Sequence, residues 1–297
     1  MLFVDDGSAN GSNFRCTGSC PGMAFAQMGA GVPSAPMTYL GGLAGASLYH
    51  YLHPWLKDHH VFDFASTLEG RVESMHLERV FFGGKFAPIA MGFSALTMAA
   101  ALTFEAYFPW RTEIIAIRQV DSNYAINPTA AGFLMGSLQI PMYMALGTFL
   151  GCSSGYSVAT AQVLRLIPEE FLVQYTYAKN FVNSKASWQV GLGAGIVAGA
   201  AIASGFAKSV FDAVVNGASF NPASVPHVPN AQAFFGGLMI VFGARFVGGC
   251  ASGHGLSGLP SLHVVSWLTI PSMFAGGILT GMVMSHYGMP MNEYLLK

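Results

Sequence analysis

Three places in the sequence set a cysteine among glycines and small hydroxyl residues. They read Cys-Thr-Gly-Ser-Cys-Pro-Gly at 16–22, Leu-Gly-Cys-Ser-Ser-Gly-Tyr-Ser at 150–157 and Val-Gly-Gly-Cys-Ala-Ser-Gly-His-Gly-Leu-Ser-Gly at 247–258. Each motif is followed by an apolar segment too short to cross a bilayer, namely Met23–Ala30, Val158–Ile167 and Leu256–Trp267. Irregular backbone at membrane depth is tolerated only where it is buried in protein or lines a polar cavity. The repeated pattern therefore predicts three re-entrant half-helices that converge on one interior site.

The chemistry of such a site follows from the groups that meet there. The N-terminus of a half-helix offers free backbone N–H groups and a partial positive charge, which suit an anion. Glycine exposes those N–H groups, and Ser153, Ser154, Ser252 and Ser257 could add hydroxyl donors. A thiol is a weak hydrogen-bond donor and a soft, polarisable group. Thiols beside N–H donors therefore favour a large, soft anion, and a sulfur-containing oxyanion fits better than phosphate or chloride.

A single cysteine in a membrane helix is most often just a small apolar residue. The repetition of the same Gly-Cys or Ser-Cys setting at Cys20, Cys152 and Cys250 favours a shared site instead. Cys16 lies four residues before Cys20, outside the repeated position. It is interpreted as a spare thiol, a packing residue or a redox partner of Cys20.

Two ionisable residues accompany the third motif, and an ionisable residue at membrane depth is a functional candidate. Arg245 could pair with an anion or with a lipid headgroup. His254 could complete the ring of donors or cap a helix end. The predicted substrate-binding residues are Cys20, Cys152, Cys250, Gly22, Gly155, Gly253, Ser154, Ser252, His254 and Arg245.

The composition of the chain indicates an integral membrane protein. Only 9% of its 297 residues are charged and 53% are hydrophobic, whereas soluble domains carry about 25% charged residues. A net charge of −1 provides no basic surface for nucleic acid. The histidines near the end of the first apolar run lack a metal-ligand spacing, and no nucleotide-binding motif is present. No metal, cofactor or nucleic-acid partner is therefore predicted.

The fold class predicted is all-α: a polytopic membrane protein with about six full transmembrane helices and the three re-entrant half-helices. Many of its glycines are interpreted as contacts that let helices approach closely. The predicted organisation is a first segment at 1–53, a polar connection at 54–84, a membrane domain at 85–287 and a C-terminal tail at 288–297. The predicted crossings are Ala35–Leu52, Phe86–Trp110, Ala130–Leu150, Gly191–Phe206, Ala231–Val247 and Leu268–Tyr287.

The motif Gly-Gly-Cys-Ala-Ser-Gly-His-Gly-Leu-Ser-Gly-Leu at 248–259 and the motif Gly-Ser-Cys-Pro-Gly at 18–22 resemble the signatures of the YeeE/YedE sulphur-transport family. Residues 85–287 resemble half or more of a family member, and the first 53 residues resemble the end of another half. The resemblance implies a channel-like uptake protein in which thiosulfate passes along cysteines by transient hydrogen bonds. By motif, those cysteines are Cys20, Cys152 and Cys250.

One departure from this pattern concerns the N-terminus. The chain reaches its first cysteine motif with no apolar crossing before it, whereas the other two motifs each follow one. The expectation is a sequence that lacks an N-terminal portion, or a lineage that has lost helices.

The leading hypothesis is a non-enzymatic function, the membrane transport of thiosulfate or a similar sulfur-containing anion. It implies a multi-pass protein of a cell membrane or an organellar inner membrane, with a sulfur-carrier or sulfurtransferase protein as a candidate partner. One alternative is a membrane sulfurtransferase or thiol oxidoreductase that uses Cys16 and Cys20. Another is a non-transporting subunit of a larger membrane complex.

Overall fold

The computed structural model describes residues 20–58, 86–107, 128–147, 150–164, 181, 187–206 and 228–286. All regular structure within these ranges is helical, as predicted. The helices are α1 (Pro21–Gly29), α2 (Ala35–Asp58), α3 (Phe86–Tyr107), α4 (Pro128–Ser137), α5 (Gln139–Leu146), α6 (Ser153–Leu164), α7 (Trp188–Phe206), α8 (Asn230–Phe246), a π-helix (Ser252–Gly258) and α9 (Val264–His286).

The chain divides into two compact units. The first consists of Met1–Ser66, Gly151–Gly253 and His286–Asn292, and it contains α1, α2, α6, α7 and α8. The second consists of Thr67–Leu150, His254–Ser285 and Glu293–Lys297, and it contains α3, α4, α5 and most of α9. Each unit draws on distant parts of the sequence, so both depend on long-range helix packing.

Two of the described helices are long and apolar enough to cross a membrane. They cover Pro88–Tyr107 and Trp188–Gly205, and a shorter apolar helix covers Val264–Thr280. These segments correspond to the second, fourth and sixth predicted crossings. The total of six crossings stays a prediction.

In the first unit, α2 and α8 pack with their backbones in direct contact. A Cβ atom added at Gly41 would overlap the carbonyl oxygen of Phe234, and one at Gly45 would overlap that of Leu238. From the other side, a Cβ at Gly237 would overlap the carbonyl oxygen of Thr38. Small residues allow this approach between membrane helices. The interpretation of Gly41 and Gly45 as packing residues is confirmed.

Other glycine-rich helices behave differently. On α7, Gly193 faces the ring of Phe25, 2.9 Å from where its Cβ would stand. At Gly191, Gly195 and Gly199 on the same helix, no atom of the described residues comes within 4 Å of that point. The described part of the chain therefore provides a packing partner for only one of these four glycines.

The third predicted crossing, Ala130–Leu150, is divided into α4 and α5. The break falls at Leu138, three residues before Pro141, and the carbonyl four residues before the proline is that of Ser137. Proline cannot donate to the carbonyl four residues earlier, and its ring crowds that carbonyl. The neighbouring bonds persist, from Leu138 N to Leu134 O and from Met142 N to Leu138 O, each 3.3 Å. The break is thus a local consequence of one proline.

The short segments after the cysteine motifs are α1, α6 and the π-helix, and they begin earlier than predicted. The helix α6 begins at Ser153, directly after Cys152, instead of at Val158. The third segment is not one helix over Leu256–Trp267, because the chain turns between the π-helix and α9. Pro260 lacks an N–H group, and Leu262 has a φ of 56°, outside the helical region. The re-entrant path of these segments stays a prediction.

Candidate functional site

Cys20 is the N-cap residue of α1. Its backbone is extended, with φ −61° and ψ 149°, and Pro21 follows at the first helical position. Its carbonyl oxygen accepts hydrogen bonds from the N–H groups of Met23, at 2.9 Å, and Ala24, at 3.3 Å. Proline suits this position because its φ is already helical and its missing N–H would have no partner there. The Cys20 thiol therefore stands at the N-terminus of a short helix.

Gly22 brings the thiols of Cys20 and Cys152 close to the same point. A Cβ atom added at Gly22 would lie 3.2 Å from Cys152 Sγ and 4.0 Å from Cys20 Sγ. Cys152 immediately precedes α6 and is only 4% exposed. The glycine thus leaves room for two thiols that are separated by more than a hundred residues in the sequence.

Cys250 is the third thiol of the group and the most buried, at 1% exposure. Its sulfur lies 2.8 Å from Ser252 Oγ. Cys20, Ser153 and Gly253 are its further electrostatic neighbours. Cys20, Cys152 and Cys250 are all free thiols. The first unit therefore gathers the three predicted cysteines around small hydroxyl groups and helix starts.

Arg245, near the C-terminus of α8, places a positive charge beside this group. Its side chain is 7% exposed. Nη2 donates to Ser153 Oγ at 2.7 Å, and Nη1 donates to Ser154 Oγ at 3.4 Å. The two serines are the first residues of α6. Arg245 therefore contacts the residues that directly follow Cys152.

The remaining predicted residues fall in varied surroundings. The carbonyl oxygen of Gln189 lies 3.2 Å from where a Cβ on Gly155 would stand, so Gly155 serves the contact of α6 with α7. No atom of the described residues lies within 4 Å of that point at Gly253. His254 belongs to the second unit, where its Nδ1 lies 2.9 Å from Ser266 Oγ. Cys16 lies outside the described residues.

Tyr156 is a site residue that sequence reasoning did not single out, although it lies inside the second motif. It is 1% exposed, and its hydroxyl donates to the carbonyl oxygen of Pro21 at 2.9 Å. Its ring packs with Phe25 and Tyr39, with the three ring centroids 5.2–5.4 Å apart. Such tilted aromatic contacts are favourable beyond the area they bury. Tyr156 thereby holds the start of α1, and with it Cys20, against α6.

Gln139 is a second residue that the sequence did not indicate, and it acts within the second unit. Its side-chain N–H₂ donates to Ser257 Oγ at 2.9 Å and to the Leu256 carbonyl at 3.3 Å. Its side-chain carbonyl accepts from the Leu150 N–H at 3.0 Å. Ser257 in turn donates to the Leu150 carbonyl. One amide thus joins the start of the second motif, Leu150, to the end of the third.

Among the residues that the structure describes, no group of three histidine, cysteine, aspartate or glutamate side chains is placed to hold an ion. The donors that surround the thiols are hydroxyl, guanidinium and backbone N–H groups, and such donors are suited to an anion.

The model of the family described as Sulphur transport matches residues 11–279, a range that includes all four cysteines. No curated protein and no solved structure matches the chain. Because the match covers most of its 297 residues, the chain belongs to the sulphur-transport (YeeE/YedE) family of membrane proteins.

Proposed function

We propose that this protein carries thiosulfate or a similar sulfur-containing anion across its membrane along a path lined by Cys20, Cys152 and Cys250. The observation that carries the proposal is the meeting of the three free thiols in one unit. Cys250 interacts electrostatically with both Cys20 and Cys152, and Cys152 and Cys20 flank Gly22. Membership of a sulphur-transport family supports a sulfur-containing substrate.

The donors around the thiols match the needs of a soft anion. Each thiol can donate one weak hydrogen bond, and the large sulfur atoms of thiosulfate are polarisable partners for thiols. Conduction requires sites that bind strongly enough to admit an ion and weakly enough to release it. A series of weak donors meets both conditions better than one strong site.

Arg245 contributes the charge that a path made of neutral thiols lacks. A buried guanidinium attracts anions through a medium of low dielectric constant. Its hydrogen bonds to Ser153 and Ser154 hold this charge at the start of α6. In this proposal Arg245 draws the anion to the thiols, and a sulfur-carrier or sulfurtransferase protein consumes it on the far side.

The test is uptake of sulfur-35-labelled thiosulfate into sealed vesicles that contain the purified protein. We expect Cys250→Ala to lower the initial rate at least about tenfold, because a donor in the path is lost. Cys250→Ser, which keeps a donor in a smaller group, should retain part of the rate. Normal uptake by Cys250→Ala would contradict the cysteine-lined path.

Cys16→Ala serves as the matched control, since Cys16 stands outside the repeated position of the motifs. We expect it to transport as the wild type does. A loss of function in Cys16→Ala together with Cys20→Ala, with a persulfide on Cys20 detected by mass spectrometry, would favour a sulfurtransferase instead.

A further inference from the structure

We propose that Ser157 is a further substrate-binding residue, whose hydroxyl donates to an oxygen of the anion next to Arg245. This proposal deepens the proposed function and rests on it. Ser157 lies on α6 and is 0% exposed. Its hydroxyl has no hydrogen-bond partner among the residues that the structure describes. A buried hydroxyl without a partner destabilises the fold, so its presence inside a motif that carries a thiol indicates a role in binding.

The position of Ser157 on α6 follows from the helical repeat. Arg245 donates to Ser153 Oγ at 2.7 Å and to Ser154 Oγ at 3.4 Å, so its guanidinium lies over the face between these two residues. Ser157 comes four residues after Ser153 and three after Ser154, and residues at both spacings are neighbours on one helix face. Ser157 therefore lies one turn along α6 on the face that carries the guanidinium.

The other faces of α6 are directed at other helices. Gly155 lies against the backbone at the start of α7. Tyr156 packs with aromatic rings of α1 and α2. The face of Ser157 is therefore the one on which a buried cation and a hydroxyl without a partner come together.

The two kinds of donor in this unit suit the two ends of thiosulfate. Thiols suit its terminal sulfur, which is large and polarisable. Guanidinium and hydroxyl groups suit its oxygens, which are strong acceptors that carry charge. Arg245 and Ser157 together thus favour a sulfur-containing anion that also has oxygen atoms over one that has none.

The anion reaches Ser157 by exchange of an existing hydrogen bond, because the serine is enclosed by protein. The contact of Arg245 with Ser154, at 3.4 Å, is the longer of its two serine contacts. A bond from guanidinium to an oxyanion is stronger than one to a neutral hydroxyl, so the anion can replace Ser154 at Nη1. The 2.7 Å bond to Ser153 keeps the guanidinium at the start of α6.

Thr160 provides the comparison on the same helix. It is 3% exposed, and its hydroxyl donates to the carbonyl oxygen of Leu43 at 3.4 Å. Both Thr160 and Ser157 are buried, but only the hydroxyl of Thr160 is bonded to a described part of the protein. A hydroxyl that serves packing stabilises the protein without substrate, whereas one that serves a ligand does not.

The experiment compares Ser157→Ala with Thr160→Val in vesicle uptake of labelled thiosulfate and in thermal unfolding of the anion-free protein in detergent. We expect Ser157→Ala to raise the half-saturating thiosulfate concentration at least about fivefold, because a donor to a charged ligand is lost. Its unfolding midpoint should stay unchanged or rise. Thr160→Val should lower the midpoint and keep the half-saturating concentration within about twofold of the wild type.

Three results would overturn the proposal. The first is a normal half-saturating concentration in Ser157→Ala. The second is a lowered midpoint or a failure to fold in Ser157→Ala, which would make the hydroxyl structural. The third is an equal rise of the half-saturating concentration in Thr160→Val, which would show that any change in α6 weakens binding.

Thiocyanate, a soft sulfur-containing anion without oxygen, tests which end of the substrate Ser157 binds. It is added as a competitor of thiosulfate uptake. We expect Ser157→Ala to leave the inhibition constant of thiocyanate within about twofold of the wild type while binding of thiosulfate weakens at least about fivefold. Equal weakening of both anions would contradict a bond from Ser157 to oxygen.

The wild type and Cys250→Ala separate the two levels. If the wild type takes up no thiosulfate, or if Cys250→Ala transports normally, the proposed function fails and the role of Ser157 fails with it. If Cys250→Ala is impaired while Ser157→Ala behaves as the wild type, the cysteine-lined path stands and only the role of Ser157 is wrong.

Discussion

In the unit that carries the three cysteines, glycines of α2 and α8 pack directly against backbone carbonyl groups of the facing helix. In the other unit, Gln139 joins segments of the chain through side-chain hydrogen bonds. The first kind of contact has no rotatable groups and so admits one geometry. The second can lengthen or rearrange as the amide moves. The comparison teaches that the thiols are held in the less adjustable of the two units.

The two units also differ in how far their apolar side chains are buried. Phe25, Ala46, Tyr156 and Val241 form a buried hydrophobic cluster in the first unit. In the second, α3 and α9 carry large apolar side chains with high exposure, and Phe104 is 65% exposed. Exposed apolar side chains are what lipid solvates. Within the described residues, the buried packing is concentrated near the thiols.

The largest effect is expected where backbones touch. Gly41→Ala places a methyl group on the carbonyl oxygen of Phe234, so α2 and α8 must separate. We expect a loss of stability of more than about 3 kcal/mol, seen as a large fall in the thermal unfolding midpoint in detergent. Gly195→Ala is the control, since no described atom lies within 4 Å of its added methyl. Equal behaviour of the two variants would remove the distinction between the glycines.

A smaller effect is expected in the second unit. Gln139→Ala removes the donor to Ser257 and the acceptor for the Leu150 N–H. The expected destabilisation is about 1–3 kcal/mol, because buried partners lose their hydrogen bonds. Gln139→Glu keeps the shape and the acceptor but loses the donors, so it distinguishes the contribution of the N–H₂ group from that of the carbonyl oxygen. Unchanged unfolding midpoints in both variants would show that the amide does not hold this unit.

The smallest effect is expected for Tyr156→Phe. The variant keeps the ring contacts with Phe25 and Tyr39 and removes only the hydrogen bond to the Pro21 carbonyl. We expect a loss of about 1 kcal/mol in stability. The rate of thiosulfate uptake by the folded variant should also fall, because the lost hydrogen bond holds the start of α1, where Cys20 stands. A variant with reduced stability and normal uptake would confine Tyr156 to packing.

Much of the fold was predictable because membrane helices leave a local signature. Low charge and long apolar runs predicted helices near α3, α7 and α9, and the structure has them. The third run was predicted as one crossing, and the structure divides it three residues before Pro141. The starts of the short helices were missed because polar serines at 153 and 154 read as loop, although they lie in the first turn of α6.

The site was predictable in part for a different reason. The repetition of one local motif around Cys20, Cys152 and Cys250 indicated a common role without any knowledge of contacts. The local pattern could not show that Ser153 lies closer to Arg245 than Ser154 does. It also could not show that Gly155 lies in the contact of α6 with α7. Those roles depend on which neighbour a side chain meets.

The sequence by itself determined that this chain belongs to a sulphur-transport family, that the residues the structure describes form helices, and that cysteine and glycine stand at the breaks in its hydrophobic runs. The tertiary structure alone decided that Arg245 meets Ser153 across 92 residues of sequence and that Tyr156 meets Pro21 across 135. The physical reason is that helix formation and membrane partition depend on runs of neighbouring residues. Hydrogen bonds between helices depend on how closely those helices pack, and here glycines without side chains set that distance.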